Sequence, residues 1–311
     1  MQTFLITGAT GFIGTTLRKR LIDSGYKVVA LTRNPSFRSS SDHVVVDLRD
    51  RDALSEAINC VKPHVVFHLA ADKTRFFGDY SGFKKSVEVN LLGTMNLVES
   101  CLKTSQVNRF IMLGTCEEYG NGQAPFQENQ REMPISSYSY SKTAATHLLQ
   151  TLHRTIDFPA VILRPTIVYG AGQGRDMFLP ALIESLLSGQ VFKMTHGNQS
   201  RDYIYINDLV EACCAAIESD VIGQVINIGS GRALPIREIA LLAAYLIGNE
   251  ADKLLDFGAL PERKNEIRNY SVNLEAATQY LRWRPQVSLV EGLRLTIESY
   301  RKYFYENSLS F

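Results

Sequence analysis

The chain has 311 residues, 45% of them hydrophobic and 21% charged, enough to bury one large core or two cores that share an interface. Thirty-three Lys and Arg against 32 Asp and Glu leave a net charge of +1; no positive field draws a polyanion, so neither nucleic acid nor a membrane is an expected partner. Five cysteines, odd in number and without a C-x-x-C pair, argue against a disulfide framework and against a metal site, and point to a reducing cytoplasm.

The first residues run straight into an apolar strand without a basic n-region or cleavage site, and no apolar run reaches membrane-spanning length, so neither secretion nor an anchor is expected. A strand at 4–7 is followed by a helix from 11 to about 24, strands at 27–32 and near 44–46, and a helical stretch from 52. The alternation continues with a strand at 65–69, a long helix from about 83 to 101, a strand at 109–113 and a helix after Ser141. This rhythm predicts an α/β fold, a Rossmann-type doubly wound parallel sheet with helices on both faces. Beyond the strand at 160–165 the rhythm loosens, and a glycine-rich stretch, 170–174, precedes an apolar helix at 177–187. We assign residues 1–168 to a dinucleotide-binding domain and 169–311 mainly to a smaller α/β substrate-binding domain. The division is interleaved, with strands at 203–206 and 225–228 expected to rejoin the first sheet.

Thr7-Gly8-Ala9-Thr10-Gly11-Phe12-Ile13-Gly14 follows the first strand and opens the first helix. Glycines in that context permit a tight turn, let backbone amides approach a diphosphate, and let the helix sit close on the sheet. Gly8, Thr10, Gly11, Phe12, Ile13 and Gly14 are therefore expected around a dinucleotide. The second strand ends in Thr32-Arg33-Asn34, without the carboxylate that would bind an adenosine ribose and repel a 2′-phosphate. Arg33, helped by Arg38, offers a cation instead, so NADP(H) is favoured, with NAD(H) left open and a merely solvated arginine as the alternative. Asp47 and Leu48, after the third strand, are placed at the adenine, although a plain strand-end Asp reads equally well.

Tyr138 and Lys142 stand four residues apart in Pro134-Ile135-Ser136-Ser137-Tyr138-Ser139-Tyr140-Ser141-Lys142, which on a helix puts both on one face. An ammonium there would favour the phenolate and bring a tyrosine toward the range of an acid/base catalyst. Tyr140, only two residues from Lys142, faces elsewhere.

With these two motifs the chain resembles the extended short-chain dehydrogenase/reductases, the NAD(P)-dependent nucleotide-sugar epimerase/dehydratase/reductase group, over nearly its whole length. Further matching runs are His68-Leu69-Ala70-Ala71, Asn90-Leu91-Leu92-Gly93-Thr94, Leu163-Arg164-Pro165 through Tyr169-Gly170, Arg201 to Asp208, Asn227 to Gly231, and Trp283-Arg284-Pro285 with Glu291-Gly292-Leu293. The resemblance implies that Lys142 also holds the nicotinamide ribose and that Leu69, Ala70 and Ala71 border the cofactor. It implies too that Thr115 hydrogen-bonds the reacting oxygen and that Arg201 and Arg263 hold the diphosphate of a nucleoside-diphosphate sugar, with a structural salt bridge to a neighbouring carboxylate as the alternative for each arginine.

Two positions depart from the family pattern. Ile167 replaces an Asn that contacts the substrate phosphate in many members. In Gly114-Thr115-Cys116-Glu117-Glu118-Tyr119-Gly120, Glu117 occupies the place of the dehydratase base and Cys116 that of its acid. Cys116 is carried as a substrate contact, with a buried filler as the alternative, and one of the two glutamates is expected to be structural. Some 4-keto-6-deoxyhexose reductases carry a similar Glu-Glu-Tyr-Gly run. The expected activity is NADPH-dependent reduction of a nucleoside-diphosphate 4-keto-6-deoxyhexose. Alternatives are a dehydratase using Glu117, a 4-epimerase holding NAD tightly and, from another class, a non-catalytic NADP-binding sensor. A homodimer is expected from the resemblance and from the apolar stretch 86–101 and the helix carrying Tyr138.

Overall fold

A computed structural model describes residues 2–37, 42–75, 80–262 and 266–308. Its strands in chain order are β1 (Thr3–Thr7), β2 (Lys27–Thr32), β3 (His43–Val45), β4 (Val65–His68), β5 (Arg109–Leu113), β6 (Ala160–Pro165), β7 (Ile167–Tyr169), β8 (Phe192–Met194), β9 (Ser200–Tyr205), β10 (Val225–Ile228), β11 (Ala233–Pro235), β12 (Leu255–Phe257) and β13 (Asn269–Tyr270). Seven of them form a parallel sheet in the order β3-β2-β1-β4-β5-β6-β10. The chain leaves β1 toward one edge and returns to β4 on its other side, and that reversal opens a crevice at the carboxyl ends of the central strands. Register puts Thr7 beside Leu31 and His68, and Leu113 beside Leu163, so the segments following these strands share one edge.

Alternate side chains of each strand feed two cores. Phe4, Ile6, Val28 and Ala30 join one cluster, while Leu5, Val29 and Leu31 join the other, as period-2 projection requires when a sheet is covered on both faces. Helices α1 (Phe12–Asp23), α2 (Arg51–Val61), α3 (Tyr80–Val87), α4 (Gly93–Thr104) and α5 (Ser137–Ile156) connect the first six strands. The long helix expected from 83 to 101 is interrupted: a π turn at Glu88–Leu92 separates α3 from α4. Inside that turn the Asn90 amide donates to Ser141 Oγ at 2.9 Å and to the Asp72 carbonyl at 3.0 Å, which ties α5 to the loop after β4.

The helix expected after Ser141 begins at Ser137. Ser136 caps it, accepting from the Ser139 amide at 3.1 Å while Ser139 Oγ accepts from the Ser136 amide at 3.0 Å, a capping box built from two serines. Of the two strands expected to rejoin the first sheet, Val225–Ile228 pairs with β6. Tyr203 does not: it lies in β9, which pairs with β7, β11 and β13 in a separate small sheet. Both segments, 203–206 and 225–228, are largely apolar, so the local pattern does not tell them apart. Among the described residues no helix is long and apolar enough to cross a membrane.

Candidate active site

One cavity of about 940 Å³ runs from the turn after β1 to the start of α5. At its first end Gly8 has φ +70°, and a Cβ there would stand 2.8 Å from the Ala70 amide nitrogen. A Cβ on Gly14 would meet the Gly8 carbonyl oxygen at 2.2 Å. Both positions exclude a side chain, the first also by its left-handed backbone. Gly11 caps α1 without a side-chain hydrogen bond, and Gly11 and Gly14 line the cavity, so a helix start of the kind that receives a phosphate borders it. Thr10, Phe12 and Ile13 line the same end, and Leu69, Ala70 and Ala71 border it from β4.

Thr32, Arg33 and Asn34 line the cavity where β2 ends, as do Asp47 and Leu48. Arg33 is exposed. Asp47 is held by Arg49, whose Nη2 donates at 2.8 Å and whose Nε and amide donate at 3.0 and 2.9 Å. Those bonds, with Arg33 nearby, keep the Asp47 carboxyl below its ordinary value. Arg38 lies outside the described residues.

At the other end the cavity is lined by Thr115, Glu117, Tyr138 and Lys142. Thr115 follows β5, and its amide donates to Glu118 Oε1 at 2.9 Å. Glu118 is fully buried; its Oε2 accepts from Thr146 Oγ1 at 2.9 Å and from Arg164 Nε and Nη2 at 2.9 and 2.7 Å. Arg164, itself fully buried, also donates to Glu132 at 2.7 Å and lies 4.6 Å from the Tyr119 ring centroid. Of the two adjacent glutamates, then, Glu118 is structural and fixes the Thr115 turn, while Glu117 faces the cavity.

Lys142 is 3% exposed, and burial brings its pKa down to about 8, against a smaller upward pull from Glu118. Behind it His68 bridges Thr7 Oγ1 and Thr94 Oγ1, both at 2.8 Å, and burial together with the Lys142 charge holds its pKa down at about 3. The Tyr138 phenol is raised, first by burial and then by the Glu117 charge. The leading opposing charge is the Arg75 guanidinium. Spacing along the helix places Tyr138 and Lys142 on one face, and both line the cavity, with Arg75 joining them from the loop after β4.

Three expected substrate contacts fare differently from the rest. Cys116 does not line the cavity: it is fully buried, its thiol points to the Pro165 carbonyl at 3.0 Å, and burial pushes its pKa up. It packs with Tyr119, Phe126, Tyr270 and Val272. Arg201 does not line the cavity either; it donates to the Ser200 and Ile267 carbonyls at 2.8 and 2.7 Å and pairs with Glu266. Arg263 lies outside the described residues. Lining residues that the sequence analysis missed include Lys73, Arg75, Gln173, Met177 and Tyr270. Gln173 lies within the glycine-rich stretch at 170–174 and Met177 follows it, the one local signal that could have found them; the others carry no motif.

A family model described as the NAD dependent epimerase/dehydratase family matches residues 4–229. The chain belongs to that family. It is an enzyme of the extended short-chain dehydrogenase/reductase type. A UDP-glucose 4-epimerase of Mycolicibacterium smegmatis is 30% identical, over 96% of this chain and 98% of its own length. A dTDP-glucose 4,6-dehydratase of Haemophilus influenzae is 26% identical over the same shares of the two chains. Among solved structures, the UDP-glucose 4-epimerase of Thermus thermophilus in complex with NAD is 25% identical and superposes with a TM-score of 0.83, covering 96% of this chain and 99% of that one.

Proposed function

We propose that this family member uses NADPH to reduce the C4 ketone of a 4-keto-6-deoxyhexose carried by a nucleoside diphosphate, with Tyr138 as proton donor. The observation that carries the reading is the meeting of Thr115, Tyr138 and Lys142 at one end of the cavity that begins at the glycine loop. The residues present fit a dinucleotide: the cradle at Gly8 that a Cβ would fill and the uncapped start of α1 would take its diphosphate. Lys142 would hold the nicotinamide-side ribose, and Arg33 a 2′-phosphate. When bound, the dinucleotide supplies the hydride.

Tyr138, raised by burial, keeps its proton at neutral pH and can deliver it to an alkoxide forming at C4. Thr115 positions that oxygen with its hydroxyl. No carboxylate follows Thr32 to repel a 2′-phosphate, which supports the NADP(H) preference. Residues 169–311, apart from β10, are assigned to sugar-nucleotide binding, with Gln173 and Met177 lining that side. The five free cysteines support a cytoplasmic setting. A homodimer is proposed from the outer faces of α4 and α5: Met95 and Leu102 on α4, Leu92 before it and Tyr140 on α5 are all more than two-fifths exposed, a stripe of apolar surface that a second copy would cover.

The presence of Glu117 in the cavity favours a second reading, a dehydratase using that carboxylate as base, and the dehydratase relative is in keeping with it. One assay separates the outcomes. The protein is incubated with UDP-glucose, dTDP-glucose and their 4-keto-6-deoxy derivatives, with and without NADPH, and the products are weighed by mass spectrometry. Reduction adds two hydrogens only when NADPH is present; loss of water from a parent sugar identifies a dehydratase, and an unchanged mass with a new sugar an epimerase. Failure of every keto sugar to oxidise NADPH would overturn the proposal.

A further inference from the structure

Glu117 faces the cavity but is not free there. Arg75, from the loop after β4, donates Nε to both carboxylate oxygens at 3.0 and 2.9 Å, and its Nη2 donates to Oε1 as well. The same guanidinium lies 5.3 Å from the centroid of the Tyr138 ring. The charged and titratable groups around the carboxylate are thus Arg75, Tyr138, Tyr270 and the buried Cys116. A carboxylate takes a proton from carbon through an oxygen lone pair aimed at the C–H bond; a forked guanidinium engages both oxygens at once, occupying part of their about four lone-pair sites and fixing the direction in which the others point.

We propose that Arg75 is a positioning residue that withholds Glu117 from carbon-proton abstraction and so confines the cavity to hydride and proton transfer at C4. The inference rests on the reading that a 4-keto sugar binds beside Tyr138. Next to a C4 ketone the C5–H bond is acidic. Were Glu117 released, it would take the C5 proton, the bonding electrons would move into the C4 carbonyl to give an enolate, and a proton returned from solvent would restore the ketone. The net change is exchange of one hydrogen at C5. The side chain that suppresses this exchange is Arg75, and without it the site would have the free carboxylate that elimination chemistry requires.

The test uses the 4-keto-6-deoxy derivatives of UDP-glucose and dTDP-glucose in deuterium oxide, with deuterium at C5 followed by NMR for the unmodified protein, Arg75→Met, Arg75→Lys, Glu117→Gln and the double variant Arg75→Met/Glu117→Gln. Arg75→Met should exchange C5 roughly 10- to 100-fold faster than the unmodified protein, the range for losing one charge-assisted hydrogen-bonded partner. The two variants carrying Glu117→Gln should stay at the rate seen without protein. Arg75→Lys, which restores a charge but not the fork, should fall between. Equal exchange in Arg75→Met and the unmodified protein overturns the proposal, as does fast exchange that survives Glu117→Gln. Arg75 is on an exposed loop, and thermal melting of each variant verifies that it is folded. NADPH oxidation by the unmodified protein is recorded on the same substrates, so a failed reductase reading and a failed Arg75 reading are told apart.

Discussion

Lys142→Met should stabilise the cofactor-free protein at neutral pH while disabling the enzyme. Burial lowers the Lys142 pKa from an ordinary 10.5 to about 8. At about 1.36 kcal/mol per pH unit, the folded protein spends about 3 kcal/mol keeping that ammonium charged at pH 7. Between pH 8 and 10.5 the unfolded chain binds a proton the fold has shed, so stability rises with pH across that window; below 8 both states are protonated and the cost is constant. Methionine has a similar unbranched shape and no charge to bury. The buried Glu118 keeps Arg164 as its partner at 2.7 Å, so the substitution leaves no orphaned carboxylate. Denaturant melts of the unmodified protein and Lys142→Met should differ by up to about 3 kcal/mol in favour of the variant at pH 7, and by little at pH 10. Turnover and dinucleotide affinity should both fall, since Lys142 is assigned to both. A variant less stable than its parent at pH 7, or a gain that does not shrink at pH 10, would refute the argument from burial.

Tyr138→Phe removes one hydroxyl and keeps the ring, so single-turnover reduction should slow by about 10²–10⁴-fold while the dinucleotide Kd, measured by calorimetry, barely moves; substantial residual activity would sink the assignment of the proton donor. Arg33→Ala should weaken NADP(H) by roughly 10- to 100-fold, the loss of one charge-assisted contact, and leave NAD(H) almost unchanged; an unmodified protein that binds NAD(H) as tightly as NADP(H) would reject the preference. Light scattering at micromolar concentration should give twice the chain mass of 34.8 kDa, and Met95→Glu, placing a charge in the exposed face of α4, should reduce it to one; a monomeric unmodified protein would leave that apolar stripe without the proposed partner.

The parts of this protein that the sequence determined by itself are those whose geometry is local. Gly8 and Gly14 mark a turn that only glycine can make, because each side-chain position is taken by backbone a few residues away or by the adjoining strand. Tyr138 and Lys142 share a face because helical periodicity places residues four apart together. The β/α rhythm sufficed for the doubly wound sheet for the same reason: each unit buries its own apolar stripe. Where the helix carrying Tyr138 begins was less legible, since the Ser136–Ser139 box uses two serines in a run of polar residues that offers several starts.

Tertiary structure alone decided what meets across long separations. Arg75 and Glu117 come from different loops and carry no mutual signal in the chain, yet they pair beside the Tyr138 ring. Cys116 and Glu117 are neighbours in a tight turn that sends one into an apolar cluster and the other into the cavity. Arg201 is drawn to Glu266 and the Ile267 carbonyl by the segment beside β13. The apolar run that begins at Tyr203 gives no local sign of which sheet it joins; in the assembled fold β10 covers β6, and β9 pairs with β7, β11 and β13 in the smaller sheet.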